Sequence, residues 1–199
     1  MRYKYNARLS GALMPGAGKG LLFVVHKHKA TSLHYDFRLE ILGKMPSWSI
    51  PKGPSLDSKV KRLAMPTGDH TLEYSKFEGV IPYGEYGAGP VMIWDNGTYD
   101  PEIEIDHGQR EQVLVRERAE EVASGSLSQG NLKFFLHGTK LKGSFALVRT
   151  AGLKGKESWL MIKHRDRYVV PDYDAADFDF SAVTGRSMAE IEVGQEPLR

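Results

Sequence analysis

Apolar residues recur along this chain in short alternating blocks rather than long helical stripes. The blocks are LLFVVHKH (21–28), LHYDFRLEI (33–41), MPSWSIP (45–51), RLAMPT (62–67), LEYSKFEGVI (72–81), GPVMIWDNGTY (89–99), NLKFFLHG (131–138), GSFALVRT (143–150) and SWLMIKHRD (158–166), separated by Gly, Pro and Asp. Alternation with a period of two and frequent turn residues predicts strands. Many short strands predict an all-β fold, a small barrel or sandwich of antiparallel strands. The Asp-Asn-Gly at 95–97 predicts a tight turn inside the 89–99 block. One segment breaks the pattern: residues 106–125 lack Pro and are rich in Gln, Glu, Arg and Ala, which predicts a peripheral surface helix. The acidic segment 170–199 reads as a loosely structured tail with one short helix near 187–193. Residues 1–20 are Gly-rich, basic and aperiodic and read as a flexible arm.

Composition narrows the class. The 199-residue chain is 41% hydrophobic, enough for one core, and has no cysteine. That excludes disulfides, thiolate metal sites and cysteine nucleophiles, and fits a reducing compartment. No apolar run approaches the roughly 20 residues that span a bilayer, and the N-terminus has no apolar signal core, so the expectation is a cytoplasmic protein with no membrane partner. The net charge of +2 is unevenly distributed. Residues 1–62 hold 12 Lys and Arg against 3 Asp and Glu, and the remaining 137 hold 15 against 22. A basic first third opposite an acidic remainder suits a polyanion on one face; a solvated charged surface is the alternative.

The densest chemistry lies in VVHKHKATSLHYDFRLEI, residues 24–41. On the second strand Leu33, Tyr35, Phe37, Leu39 and Ile41 share the apolar face, and His34, Asp36, Arg38 and Glu40 share the other. On the first strand Val24, His26 and His28 share a face. His34 and Asp36 lie about 7 Å apart at Cα by strand rise, so His28, His34 and Asp36 are able to converge on one ion. Two imidazoles and one carboxylate suit a borderline divalent metal with open positions. Arg38, one step along that face, suits a phosphate beside the metal. Glu40 reads as a surface or supporting acid.

Downstream, Lys52, Lys59, Lys61 and Arg62 form a basic stretch, a track for a nucleic-acid backbone. His70 and Tyr74 fall close together in DHTLEY, as a proton donor or phosphate ligand and a phosphate contact. The segment EGVIPYGEYGAGPV (78–91) has four glycines but no Walker spacing, so tight turns and close backbone packing are expected. His107, His137 and His164 stand without grouped partners in the sequence and read as structural or surface residues.

These residues resemble a known family. The string H-x5-H-x-D-x-R-L-E from His28, followed by P-K-G-P-S and D-H-x-L-E-Y, is similar to the 3′-phosphoesterase domain of bacterial ATP-dependent DNA ligase D. The likeness covers roughly residues 21–169, with a further match in SAVTGRSMAEI. It implies a small β-barrel that heals DNA 3′ ends in end joining. A manganese centre, with Co²⁺ or Zn²⁺ as other divalent occupants, would remove a 3′-ribonucleoside and then the 3′-phosphate. By the resemblance His28, His34 and Asp36 are metal ligands, Arg38 and His70 contact phosphate in catalysis, and Tyr74, Lys52 and Arg62 support them. DNA ends are the implied substrate, with Ku, a ligase or a polymerase as partners in trans. The departures are His26, Gly68 in place of an acid, and an arm with Arg2 and Arg8 but no acid. Two other readings fit part of the pattern. One is a cupin-like iron enzyme, from G-x5-H-x-H at 20–28, although Ser32 and Leu33 stand where its glutamate belongs. The other is a catalytically silent nucleic-acid-binding barrel that recruits repair partners.

Overall fold

A computed structural model of the chain describes residues 20–106, 108–152 and 157–194. The basic arm, apart from Gly20, and His107 lie outside the described residues. The strands are β1 (Leu21–Lys29), β2 (Leu33–Leu39), β3 (Met45–Ile50), β4 (Lys61–His70), β5 (Gly79–Ile81), β6 (Gly89–Asp106), β7 (Gln109–Gln112), β8 (Asn131–Gly138), β9 (Lys142–Thr150) and β10 (Ser158–Lys163); the helices are α1 (Arg116–Gln129) and α2 (Met188–Glu192). The fold is all-β. Eight strands pair antiparallel in the order β1-β2-β3-β4-β10-β9-β8-β6, and β6 pairs back onto β1, so the sheet closes into a ring. Closure leaves no free edge within the ring. The short strands β5 and β7 attach along the long β6.

The alternation seen in the sequence explains the ring. Phe23, Val25, Tyr35, Phe37 and Leu39 point inward, where they meet Trp48, Trp94, Tyr99, Phe134 and Phe145 in one core. The opposite face of the same strands carries a small separate apolar cluster, Val24, Met45 and Ile93, with Leu72 and Val183 packed on it. An outer layer is therefore anchored on the outside of β1, β3 and β6, and the polar face of β2 lies beside it.

Four elements differ from the sequence expectation. The Asp95-Asn96-Gly97 turn does not form: β6 runs straight through it, with a bulge opposite the Val25–His26 step. Asp95 instead accepts backbone N–H bonds from Thr139 (2.9 Å), Lys140 (3.0 Å) and Leu141 (2.7 Å), capping the β8–β9 turn. Gly97 is required by packing, since a Cβ there would sit 2.3 Å from the His137 carbonyl oxygen. The block 72–81 divides into a 3-10 helix (Leu72–Lys76) and β5 rather than one strand. The helix starts at Arg116, ten residues later than the composition suggested, because Gln109–Gln112 pair with β6 as β7. The acidic tail is not loose over its described part: Tyr173, Ala175, Met188 and Ile191 are buried in the main core. The short helix expected there is α2, with a capping box between Ser187 and Glu190.

Candidate metal and phosphate site

The β1–β2 hairpin pairs His28 with His34, His26 with Asp36 and Val24 with Arg38. Residues paired directly across an antiparallel ladder share a face, so all the polar members project together onto the outside of the ring. β3 then sets Ser49 opposite Asp36 and Ser47 opposite Arg38, and β4 delivers His70 at its end, opposite Met45. The 3-10 helix completes the wall. Leu72 plugs the small outer apolar cluster, and two residues later Tyr74 lies over the Arg38 guanidinium at 5.2 Å. These walls enclose an open cleft of ≈ 970 Å³, large enough for a nucleotide rather than a bare ion.

At the floor, one ligand atom from each of His28, His34 and Asp36 lies within 4.8 Å of the other two. It is the one such three-residue group among the described residues. His28 Nδ1 stands 3.9 Å from Asp36 Oδ2 and His34 Nε2 3.6 Å from Asp36 Oδ1. The remaining ring nitrogens are occupied: His28 Nε2 donates to the Gly87 carbonyl at 2.8 Å, and His34 Nδ1 to the Ser32 carbonyl at 2.9 Å. Those bonds fix both tautomers and turn the two lone pairs toward the carboxylate. Two lone pairs and a carboxylate facing one another, with both outer N–H groups committed elsewhere, are a donor set that a cation completes. The residues present therefore fit the divalent ion that the sequence suggests. Burial opposes ionisation of Asp36, but the His28 and His34 rings and the Arg38 charge outweigh it and hold its carboxyl well below the usual carboxylate range.

Arg38 is almost wholly buried, and three contacts hold it. Nη2 donates to Asp36 Oδ2 at 2.9 Å, Nη1 to His70 Nδ1 at 2.8 Å and Nε to His26 Nδ1 at 3.2 Å. Both histidines are acceptors and hence neutral. Burial is the main cause of the lowered pKa at each, and the Arg38 charge adds to it. The His26 ring also meets Tyr74 edge-on at 5.4 Å, and Tyr74 stacks on Phe77 at 5.5 Å. A guanidinium has five N–H donors, so two remain for a ligand.

The fold thus brings together His28, His34, Asp36, Arg38, His70 and Tyr74. It does not bring Lys52 or Arg62 to the cleft. Lys52 lies exposed in the turn after β3, and Arg62 shares the face of β4 that carries the core residue Ala64. Glu40 is buried away from the cleft, where it accepts from the Leu22 backbone N–H at 2.9 Å and pairs with Arg116. His137 and His164 do have partners: His137 bonds Asp100 at 2.7 Å, and His164 lies against Ser144. The sequence reading noted His26 only as an extra group and missed its role as the acceptor that orients Arg38. It also missed Ser47, 3.2 Å from His70 Nδ1, and the two carbonyls behind the histidines. Ser47 was within reach of alternation, since Ser47 and Ser49 share one face of β3.

Fold and site together define a class: a closed antiparallel ring with a two-histidine, one-aspartate cluster on its outer face and a buried guanidinium beside it. The chain belongs to the DNA ligase D 3′-phosphoesterase domain family, whose model matches residues 26–149. Over 149 residues, 74% of this chain, it is 46% identical to the multifunctional non-homologous end joining protein LigD of Pseudomonas aeruginosa. It is 42% identical over 146 residues, 73% of the chain, to the multifunctional non-homologous end joining DNA repair protein LigD of Mycobacterium tuberculosis. The matched part is 16% of the length of each of those relatives.

Proposed function

We propose that this protein is a divalent-metal-dependent phosphoesterase that heals DNA 3′ ends during end joining, removing a 3′-phosphate and a 3′-terminal ribonucleoside. The observation that carries the reading is the convergence of His28, His34 and Asp36 within 4.8 Å beside a guanidinium with two uncommitted donors. Family membership and the end-joining relatives support the substrate class. His28, His34 and Asp36 would hold Mn²⁺, or Co²⁺ or Zn²⁺. When bound, the ion supplies Lewis acidity at a phosphoryl oxygen and lowers the pKa of bound water.

The protein's own groups do the rest. Arg38 presents its two remaining N–H groups to the non-bridging oxygens and offsets charge developing there. Asp36, His70 and His26 keep it from swinging, so its orientation is set before substrate arrives. His70 is neutral in the free cleft. A phosphate dianion beside it raises its pKa, so that with phosphate bound it takes up a proton and donates to an oxygen of the ester. Tyr74 keeps water off one side of the guanidinium. Lys52 and Arg62 would then act outside the cleft, along a longer DNA track. Ku, a ligase or a polymerase would act in trans on the healed 3′-OH.

The test is a primer–template ending in a 3′-phosphate or a single ribonucleotide, incubated with Mn²⁺, Mg²⁺, Zn²⁺ or EDTA. Metal-dependent conversion to a 3′-OH supports the reading; tight DNA binding with no product under any metal rejects it.

A further inference from the structure

Two tyrosines stand out on the rim of the cleft. Tyr83 and Tyr86 are 102% and 103% exposed, whereas every other exposed large hydrophobic or aromatic side chain is 76% exposed or less. Both lie on the connection between β5 and β6. Tyr86 and its neighbour Gly87 line the cleft, and Tyr83 does not.

The connection is built rather than slack. It makes two successive turns, Glu85 N–H to the Pro82 carbonyl at 3.2 Å and Ala88 N–H to the Glu85 carbonyl at 3.1 Å. Gly84 and Gly87 take the left-handed conformation (φ 93° and 76°) that the turns need. The Gly87 carbonyl is locked to His28, and a Cβ on Gly89 would lie 2.2 Å from the Lys29 carbonyl oxygen, so the base of the loop is seated against the β1–β2 hairpin. Leaving a tyrosine ring wholly in water forgoes its burial energy. A rigid backbone that holds such a ring at the mouth of a phosphate-sized site is a stacking platform, because every nucleobase offers a π-face.

Resting on the function proposed above, we propose that Tyr86 stacks on the base of the nucleotide whose 3′ end enters the cleft, which makes it a substrate-positioning residue. Tyr83, in the preceding turn, lies off the cleft and serves as the internal comparison. The selectivity that follows is for a 3′ end that carries a base over one that is abasic.

The experiment uses the full chain and primer–templates with a 3′-phosphate, whose last nucleotide is 2-aminopurine or an abasic residue. For the base-bearing end, Tyr86→Ala is expected to raise KM about fivefold to a hundredfold, with a much smaller change in kcat. Tyr86→Trp restores KM, the penalty on the abasic end is at least several-fold smaller, and Tyr83→Ala costs less than Tyr86→Ala. Binding of the wild type changes 2-aminopurine fluorescence, and Tyr86→Ala abolishes that change. Equal losses on both ends, or equal losses from Tyr83→Ala and Tyr86→Ala, overturn the proposal, as does an unchanged fluorescence response in Tyr86→Ala. A wild type that stacks the probe but releases no phosphate leaves the platform standing and rejects the phosphoesterase reading instead.

Discussion

Arg38 and Asp36, two residues apart on one strand face, are joined by a 2.9 Å bond from Nη2 to Oδ2, so a single carboxylate serves both the histidine cluster and the guanidinium. The cation site and the oxyanion site are therefore mechanically one unit. Removing Arg38 still leaves His28, His34 and Asp36 in place as ligands. Arg38→Ala is expected to lower kcat by about 10²–10³-fold, the usual cost of losing a charged transition-state donor. Mn²⁺ affinity measured by calorimetry should change far less than the rate; parallel losses in both would contradict the division of roles.

His26 acts on substrate only through Arg38. It accepts from Nε and is completely buried, so His26→Ala leaves a buried donor without a partner, at a cost of about 1–3 kcal/mol in stability. His26→Asn, which retains a side-chain acceptor, should recover part of the kcat lost by His26→Ala. Phosphate release and urea unfolding on the two variants check this.

Asp95 holds three backbone N–H groups of the β8–β9 turn. Asp95→Ala strands all three inside the ring and is expected to destabilise the fold by about 3 kcal/mol or more. Denaturant titration measures it. A loss below 1 kcal/mol would show that the turn is held by other means.

His164 gives a pH dependence that is separate from the cleft. Burial, with the charges of Arg110, Lys133 and Lys163, lowers its pKa to about 4 from 6.5. The unfolded chain therefore takes up this proton first as pH falls, so the contribution to stability is complete above pH 6.5 and is lost as pH drops toward 4. After discounting for its partial exposure, the swing is on the order of 2 kcal/mol. His164→Gln should flatten the stability profile between those two pH values relative to wild type. A profile parallel to that of wild type would count against the shift.

Much of the site was legible because strand alternation is strict. His34, Asp36 and Arg38 share a face by period alone, and any antiparallel hairpin across residues 30–32 brings His28 opposite His34. The same rule sorted Tyr35, Phe37 and Leu39 into the core. What local pattern could not show were choices made by tertiary contacts. Asp95-Asn96-Gly97 carries a turn signature, yet its aspartate caps another turn and its glycine makes room for a neighbouring carbonyl. Tyr74 reads as part of a strand but sits on a short 3-10 helix pinned by Leu72. The carbonyls of Ser32 and Gly87 carry no residue-specific signal at all, although they set both histidine tautomers. Arg62 was ranked by resemblance alone, and the parity of β4 turns it toward the core side.

The central claim is that His28, His34 and Asp36 hold one cation that the reaction needs. The most direct measurement is phosphate release from a 3′-phosphate primer–template by the wild type and by His28→Ala, His34→Ala and Asp36→Ala, with Mn²⁺ and with EDTA. The account predicts rapid release by the wild type with Mn²⁺, none with EDTA, and loss of activity in each variant together with loss of Mn²⁺ binding. Near wild-type rates in all three variants, or release that persists in EDTA, would contradict it.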